Sequence, residues 1–318
     1  MVFIGGSGVG ENVEGGMKIL ITGANGFIGS YLCRTLSESS KVIGVRRRKS
    51  SQNQDMAGFH SNFQWHVGEL SEEIFFEDDI DVIVHTAARS PGPAVTVADY
   101  LADNIVATQN LIEFAIQKQV RLFIYLSAMS VYGRIESTLV DEDTPVKLSS
   151  PYGITKYLAE LLLREKKEVI PSVILRLPLV VGAAMKSGWL FNTYKKLLQG
   201  EPVHIYNGDS PYNMVHISDV CSLVSSSLNY QPSDCDTFTV SCKNYMSVRQ
   251  IVDAMKEHTR SSSEIIEDIT ADNGFTISTE RARKFIGFQP KSAKEIVSNF
   301  MEEMNTSNME RIHNYGSK

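Results

Sequence analysis

Met17-Lys18-Ile19-Leu20-Ile21-Thr22-Gly23-Ala24-Asn25-Gly26-Phe27-Ile28-Gly29 decides how this chain is to be read. Met17 to Ile21 is a short apolar run ended by Thr22-Gly23, the pattern of a buried strand. Beyond it Phe27, Ile28, Tyr31, Leu32 and Leu36 recur at helical spacing, so Phe27 to Leu36 reads as a helix. Gly23, Gly26 and Gly29 cross this turn at G-x-x-G-x-x-G spacing. Gly23 permits the tight turn, Gly26 lets backbone approach a pyrophosphate, and Gly29 lets the helix pack on the strand. The helix N-terminus adds N–H groups and the positive end of its dipole. A purely structural turn is the bland reading. Strand, turn and helix agree, however, and that context favours dinucleotide binding.

The alternation continues outward. Val42 to Val45, Phe63 to Val67, Asp81 to His85, Arg121 to Leu126 and Ser172 to Arg176 read as strands, with helices at Asn104 to Lys118 and Pro151 to Lys167. Continuous apolar strands alternating with helices imply a parallel sheet covered on both faces. The expected class is α/β, a Rossmann-type doubly wound parallel sheet with a smaller mixed C-terminal substrate domain. Past residue 182 the pattern loosens. Helices are expected at Trp189 to Leu198, Ser218 to Leu228, Val248 to His258 and Ala293 to Met304, with short strands near Val203 and Met214. The expected division is a leader over 1–16, an NAD(P)-binding Rossmann domain over 17–182 and a substrate-binding part over 183–318. Segments around 203–245 are able to return to the first domain.

At 318 residues the chain suits one large domain or two smaller ones. A net charge of −6 argues mildly against nucleic acid as the main partner. Cys33, Cys221, Cys235 and Cys242 show no C-x-x-C spacing, so a reduced cytoplasmic protein with buried thiols is the plain reading. No apolar run approaches membrane-spanning length, and no membrane partner is expected. His60 and His66 are too scattered with Cys33 to form a metal site, and no metal is expected. Residues 1–16 are Gly-rich without a basic start or apolar core, hence no signal peptide. Gly5 to Gly10 lacks the flanking strand and helix of a phosphate loop and reads as flexible leader, with Met17 a candidate start.

The end of the second strand selects the dinucleotide: a carboxylate there binds the ribose 2′-hydroxyl, whereas an Arg accommodates a 2′-phosphate. Val45-Arg46-Arg47-Arg48-Lys49 holds no carboxylate. Arg46 and Arg47 can grip a phosphate bidentately, so NADP(H) is expected over NAD(H), with NAD possible. A solvated basic turn is the bland alternative. Farther on, Tyr152 and Lys156 stand four residues apart in Ser150-Pro151-Tyr152-Gly153-Ile154-Thr155-Lys156 and share one helix face. Pro151 suits a helix start. A cation beside a phenol favours the phenolate, and a phenol so placed can give or take a proton at a carbonyl or alcohol. By itself this spacing is weak, since it arises often on amphipathic helices.

Taken together, the chain resembles the extended short-chain dehydrogenase/reductase family, the NAD(P)-dependent epimerase/dehydratase group. The matching pieces, in the family's order, are Thr22 to Gly29, Gly68-Glu69-Leu70, His85-Thr86-Ala87-Ala88, Asn104, Leu126-Ser127, Val131-Tyr132-Gly133, Tyr152 to Lys156 and Arg176-Leu177-Pro178. Val215 to Val220 and Gly287 to Pro290 extend the match to about residue 300. The resemblance implies cofactor contacts at Gly23, Asn25, Gly26, Phe27, Ile28, Gly29, Arg46, Arg47, Glu69, Leu70, Ala87, Ala88, Arg89, Tyr152, Lys156 and Pro178. It implies that Lys156 holds the nicotinamide ribose hydroxyls and lowers the pKa of Tyr152. Tyr152 would then exchange the proton as hydride moves to or from nicotinamide C4. A homodimer is also implied, with the helices near Asn104 to Lys118 and Pro151 to Lys167 pairing across a two-fold axis.

Three positions depart from the family pattern. A Ser or Thr usually stands four residues before the Tyr of Val-Tyr-Gly and polarises the reacting oxygen; here that position is Ala128. Ser127 and Ser130 are the nearby hydroxyls, and Ser127 is the expected third catalytic residue. Strand neighbours point to opposite faces, so either serine needs a bend to serve; the other possibility is Tyr152 acting alone. Met129 and Ser130 stand where dehydratases carry Asp-Glu, which disfavours dehydration. Leu179 stands where many nucleotide-sugar enzymes carry an Asn, and Ser210 to Met214 holds no basic residue, leaving Lys186, Lys195 and Lys196 as diphosphate partners. The expected function is an oxidoreductase or epimerase acting on a ketone or secondary alcohol of a nucleotide-linked sugar, as a 4-keto reductase or epimerase. The alternatives are a weakly active or inactive NADP-binding sensor or scaffold, and a reductase of a non-nucleotide carbonyl.

Overall fold

The computed structural model describes residues 16–48, 59–72, 78–271 and 274–315. The expected leader, Gly16 apart, and Lys49 of the basic run lie outside the described residues. Seven strands form one sheet: β1 (Lys18–Thr22), β2 (Lys41–Arg46), β3 (Phe63–Val67), β4 (Val82–His85), β5 (Leu122–Ala128), β6 (Ser172–Leu177) and β7 (Cys235–Thr239). All neighbours pair parallel, in the order β7-β6-β5-β4-β1-β2-β3. The order reverses between β1 and β4, and ligands of open α/β sheets bind outside the carboxyl ends of such strands.

Both faces of the sheet are covered, which is why its strands read as continuous apolar runs. On one face Ile19, Ile21, Val82, Val84, Ile124 and Val173 pack with Leu32 and Leu36 of α1 (Phe27–Leu36) and with Val220 and Leu223 of the helix Ile217–Ser227. On the other, Leu20, Ile83, Phe123 and Ile174 pack with Leu111 of α2 (Ala107–Gln117) and Leu163 of α3 (Pro151–Glu165). Each such side chain removed fully from water contributes about 1.5–3 kcal/mol.

A second core lies in the C-terminal half. Tyr194, Leu197, Ile251, Val252, Val297 and Phe300 join the helices Trp189–Gln199, Val248–Thr259 and Ala293–Tyr315. After the first of these helices and the strand Val203–Tyr206, the chain returns to the sheet as β7, beside β6. That edge strand has no counterpart in the sequence reading, because Cys235-Asp236-Thr237-Phe238-Thr239 offers a single large apolar side chain. The helix expected at Asn104 to Lys118 also differs: a π-helical turn, Leu101–Val106, leads into α2. Among the described residues no helix is long and apolar enough to cross a membrane.

Candidate active site

The glycine loop sits at the strand-order reversal. Gly23 has φ +66°, in the left-handed region, and a Cβ on it would lie 2.8 Å from Ala87 Cα. A Cβ on Gly29 would lie 2.2 Å from the Gly23 carbonyl oxygen, so helix and strand approach this closely only because residue 29 is glycine. Gly26 caps α1 without a side-chain bond, and the first turn carries no acidic residue. The first N–H groups of α1 therefore face no carboxylate of their own helix, which fits a pyrophosphate. Asn25, Phe27 and Ile28 are half-buried in this turn, and Pro178 is half-buried between β6 and the strand Leu179–Val181.

A hydrogen-bonded relay runs from this loop across the sheet. Thr22 Oγ1 meets His85 Nδ1 at 2.7 Å, and His85 Nε2 meets Thr108 Oγ1 at 2.9 Å. Thr108 donates to the Asn104 carbonyl at 2.6 Å. Asn104 Nδ2 donates to Thr155 Oγ1 at 3.0 Å, and Thr155 donates to the Tyr152 carbonyl at 3.0 Å. Burial pushes the His85 imidazole down to about 3, with Lys156 adding to the effect, so His85 is a neutral strut. The Ala87 N–H donates to Thr22 Oγ1 at 3.3 Å, which holds Ala87, and Ala88 after it, beside the loop.

At the end of β2 the arginines are engaged within the protein. The Arg46 guanidinium lies 5.0 Å from the Trp65 ring centroid. Arg47 pairs with Asp103 at 3.0 Å, and Arg89 reaches the same carboxylate oxygen at 2.6 Å. Glu69 accepts from the Arg48 N–H at 3.3 Å, and the Leu70 carbonyl accepts from Asn110 at 3.0 Å. The Arg89 N–H donates to Asn104 Oδ1 at 2.6 Å, tying the loop after β4 to the relay.

Helix α3 starts as its residues dictate: Ser150 accepts from the Gly153 N–H at 3.1 Å and Pro151 occupies the first turn. Lys156 is 2% exposed; its Nζ donates to the Leu126 carbonyl and lies 4.1 Å from the Tyr125 ring centroid. Burial lowers the ammonium to about 7 against an opposing pull from Glu160. Tyr152 lies with its ring 6.3 Å from Tyr100, and its hydroxyl hydrogen-bonds none of the described residues. Burial, with Tyr100 adding, pushes its phenol up to about 12. The lowering expected from Lys156 is thus not found in the protein alone: burial dominates, and the ammonium is spent on Leu126.

Ser127 is also placed otherwise than expected. Its hydroxyl donates to Glu160 at 2.6 Å, in a buried network where Arg176 contacts both Glu160 oxygens at 3.0 and 2.7 Å and donates to the Tyr132 hydroxyl at 2.7 Å. Burial would raise the Glu160 carboxyl, but Arg176 and Ser127 hold it below its ordinary value. The structure therefore does not bring Ser127 to Tyr152, and the reason is strand alternation, which turns residues 127 and 128 to opposite faces. Two neighbours of the candidate site escaped the sequence reading. Glu160 follows Lys156 by four residues, a spacing that could have revealed it. Asp103 has no local signal, since Arg47 and Arg89 reach it only in the fold.

The model of the NAD dependent epimerase/dehydratase family matches residues 19–234. A Bacillus subtilis protein described as an uncharacterized UDP-glucose epimerase, YtcB, is 31% identical over 76% of this chain and 82% of its own. The solved UDP-glucuronic acid 4-epimerase of Bacillus cereus, in complex with NAD, superposes with a TM-score of 0.79 at 25% identity, covering 91% of this chain and 99% of that one. The UDP-glucose 4-epimerase of Thermotoga maritima, solved with UDP-glucose, gives 0.78 at 25% identity over 92% and 99%. A preference for NADP finds no support in the first of these structures, which holds NAD.

Proposed function

The chain belongs to the NAD dependent epimerase/dehydratase family, and on that premise we propose that it oxidises and reduces a secondary alcohol of a nucleotide-linked sugar. A 4-epimerase fits best, because the UDP-sugar relatives above are described as epimerases; a 4-keto reductase is the second form of the same chemistry. The observation that carries this reading is the relay Thr22–His85–Thr108–Asn104–Thr155–Tyr152, which couples the glycine loop to the backbone of the candidate proton donor. Residues 183–318 would supply the substrate-binding part.

Bound, the dinucleotide supplies the hydride acceptor and donor. Gly23, Gly26 and the first turn of α1 would hold its pyrophosphate; Ala87 and Lys156 would line its ribose path. Tyr152 takes the alcohol proton as the C–H electron pair leaves as hydride, giving a ketone, and returns a proton to the oxygen when hydride comes back. Lys156, one helical turn on from Tyr152, would favour the phenolate in that step if its ammonium, held by the Leu126 carbonyl in the protein alone, turned toward the phenol on cofactor binding. The Asp103 pair with Arg47 and Arg89 sets the wall nearest the end of β2. Exposed Leu101, Val106, Ile154, Leu158 and Leu161, on the π-helical turn and α3, offer the face on which a second copy pairs; a monomer mass by light scattering would remove the dimer from the proposal.

Tyr152→Phe tests the reading. Turnover of UDP-glucose or UDP-glucuronic acid should fall by at least ~10²-fold, while the dissociation constants of NAD and NADP stay within about threefold, a change of about 0.7 kcal/mol. If wild type and variant bind cofactor alike and neither converts any sugar nucleotide, the sensor or scaffold reading takes its place.

A further inference from the structure

We propose that Arg47, Asp103 and Arg89 form a strap across the dinucleotide cleft, which opens to let the cofactor pass and otherwise holds it in place between turnovers. The proposal rests on the dinucleotide-dependent reading above and names how that site keeps its cofactor. The strap springs from both sides of the glycine loop. β1 runs into that loop and pairs with β2 on one side and β4 on the other. The Ala24 N–H donates to the Val45 carbonyl at 3.1 Å, so the loop touches the end of β2. On its other side a Cβ on Gly23 would come within 2.8 Å of Ala87, so the loop also touches the segment after β4. Arg47 departs two residues past the first contact, and Arg89 two past the second. Strands two places apart in a sheet are separated by about 9.5 Å, and Asp103 closes that gap. Its Oδ2 takes Arg47 Nη2 at 3.0 Å, Arg89 Nε at 2.7 Å and Arg89 Nη2 at 2.6 Å. The contacts make a closed ring outside the carboxyl end of β1, where open α/β sheets bind their ligands.

The two arms are unequal. Asn104 holds the Arg89 backbone twice, its Oδ1 accepting from the N–H at 2.6 Å and its Nδ2 donating to the carbonyl at 3.4 Å. Asn104 is buried, and it shares the π-helical turn Leu101–Val106 with Asp103. Such turns interrupt α-helices frequently at functional sites. The Asp103 side chain is 16% exposed and that of Arg47 45%, so Arg47 is the arm able to swing. Two guanidinium groups on one carboxylate also leave a net positive charge at the mouth, which draws the cofactor pyrophosphate in. An epimerase returns hydride to the substrate that gave it, so its dinucleotide is regenerated in place, whereas a reductase exchanges it every cycle. A strap that slows exchange suits the first.

The test follows NADH fluorescence, or that of NADPH where it binds more tightly, on the full chain. Mixing gives the association rate, and a chase with excess NAD or NADP gives the release rate. The variants are Asp103→Asn, Arg47→Met and Asp103→Glu. Losing the strap should speed entry and exit together, each by about tenfold, the factor that about 1.4 kcal/mol of barrier carries. The dissociation constant should change much less than either rate. The first two variants shift the charge at the mouth in opposite directions, so steering alone would move their association rates apart; only an opened strap speeds entry and exit in both. Asp103→Glu keeps the charge and should hold both rates within about threefold of wild type. Association rates that move apart, release that quickens while binding weakens in step, or unchanged rates in both variants would each overturn the strap and leave the dinucleotide reading standing. If Asp103→Asn does not fold, Arg47→Met decides alone, because steering predicts slower entry for it and the strap predicts faster. A folded wild type that binds neither NADH nor NADPH sinks the dinucleotide reading itself, and the strap with it.

Discussion

At the end of β2 the Arg46 guanidinium lies 5.0 Å from the Trp65 ring centroid, and no carboxylate occupies Val45 to Arg48. The strand itself offers a ribose 2′-hydroxyl no carboxylate, but Glu69 and Asp103 reach its end from neighbouring segments; a 2′-phosphate bound there would meet the Arg46 cation, oriented by an aromatic face. Arg47 stands differently, because Asp103 takes its charge together with that of Arg89. Arg46 is thus the side chain that would sense the phosphate. Arg46→Ala should raise the NADP dissociation constant about tenfold or more, consistent with ~1.5–3 kcal/mol for a hydrogen bond to a charged group. NAD affinity should change much less, and titration of intrinsic tryptophan fluorescence can compare the two. Equal losses for both cofactors would assign Arg46 to its packing on Trp65 alone.

Helix α3 carries the candidate site as a ladder of four-residue steps: Tyr152, Lys156 and Glu160. Tyr152 and Lys156 were legible in the sequence because helical spacing is local. So was the sheet, whose buried parallel strands read as apolar runs, and the glycine loop, where three glycines follow a strand directly and open a helix. What was not legible depends on contacts across the chain. The edge strand Cys235–Thr239 is short and half polar and becomes a strand by pairing with β6. The destinations of Ser127 and Ser130 depend on where strand alternation gives way to a 3-10 turn. Glu160 clamps α3 to β6 through Arg176, both within 3% of full burial. Glu160→Gln leaves a buried guanidinium without its counter-charge and should cost about 3–5 kcal/mol of stability. Urea unfolding monitored by circular dichroism measures it, and a loss under about 1 kcal/mol would show that the pair acts like an exposed one.

At the scale of the whole molecule, burial makes stability depend on pH in opposite directions on two sides of neutrality. His85 is held down to about 3 from 6.5, so the unfolded chain binds more protons between those values; its contribution is complete above 6.5 and is lost as acid is added. Glu160, held below its ordinary value, works the same way at lower pH. Lys156 is lowered to about 7 from 10.5, so its contribution grows as pH rises from about 7 to 10.5. The thiols run against it. Burial raises Cys221 to about 11 and Cys235 to about 12 from 9.0, so their contribution is complete below 9 and falls away above it. The unfolding midpoint should therefore climb from pH 4 to about 7 and peak between about 7 and 9. Lys156→Met isolates the lysine, since the variant keeps the thiols and His85 but loses the group that, among the described residues, gains stability above neutrality. As pH rises from 7 to 10, wild type should gain on this variant at every step, measured by urea midpoints at matched ionic strength. Parallel curves for the two proteins would mean that Lys156 titrates alike in the folded and unfolded chain, and that its burial beneath β5 does not weaken its hold on the proton.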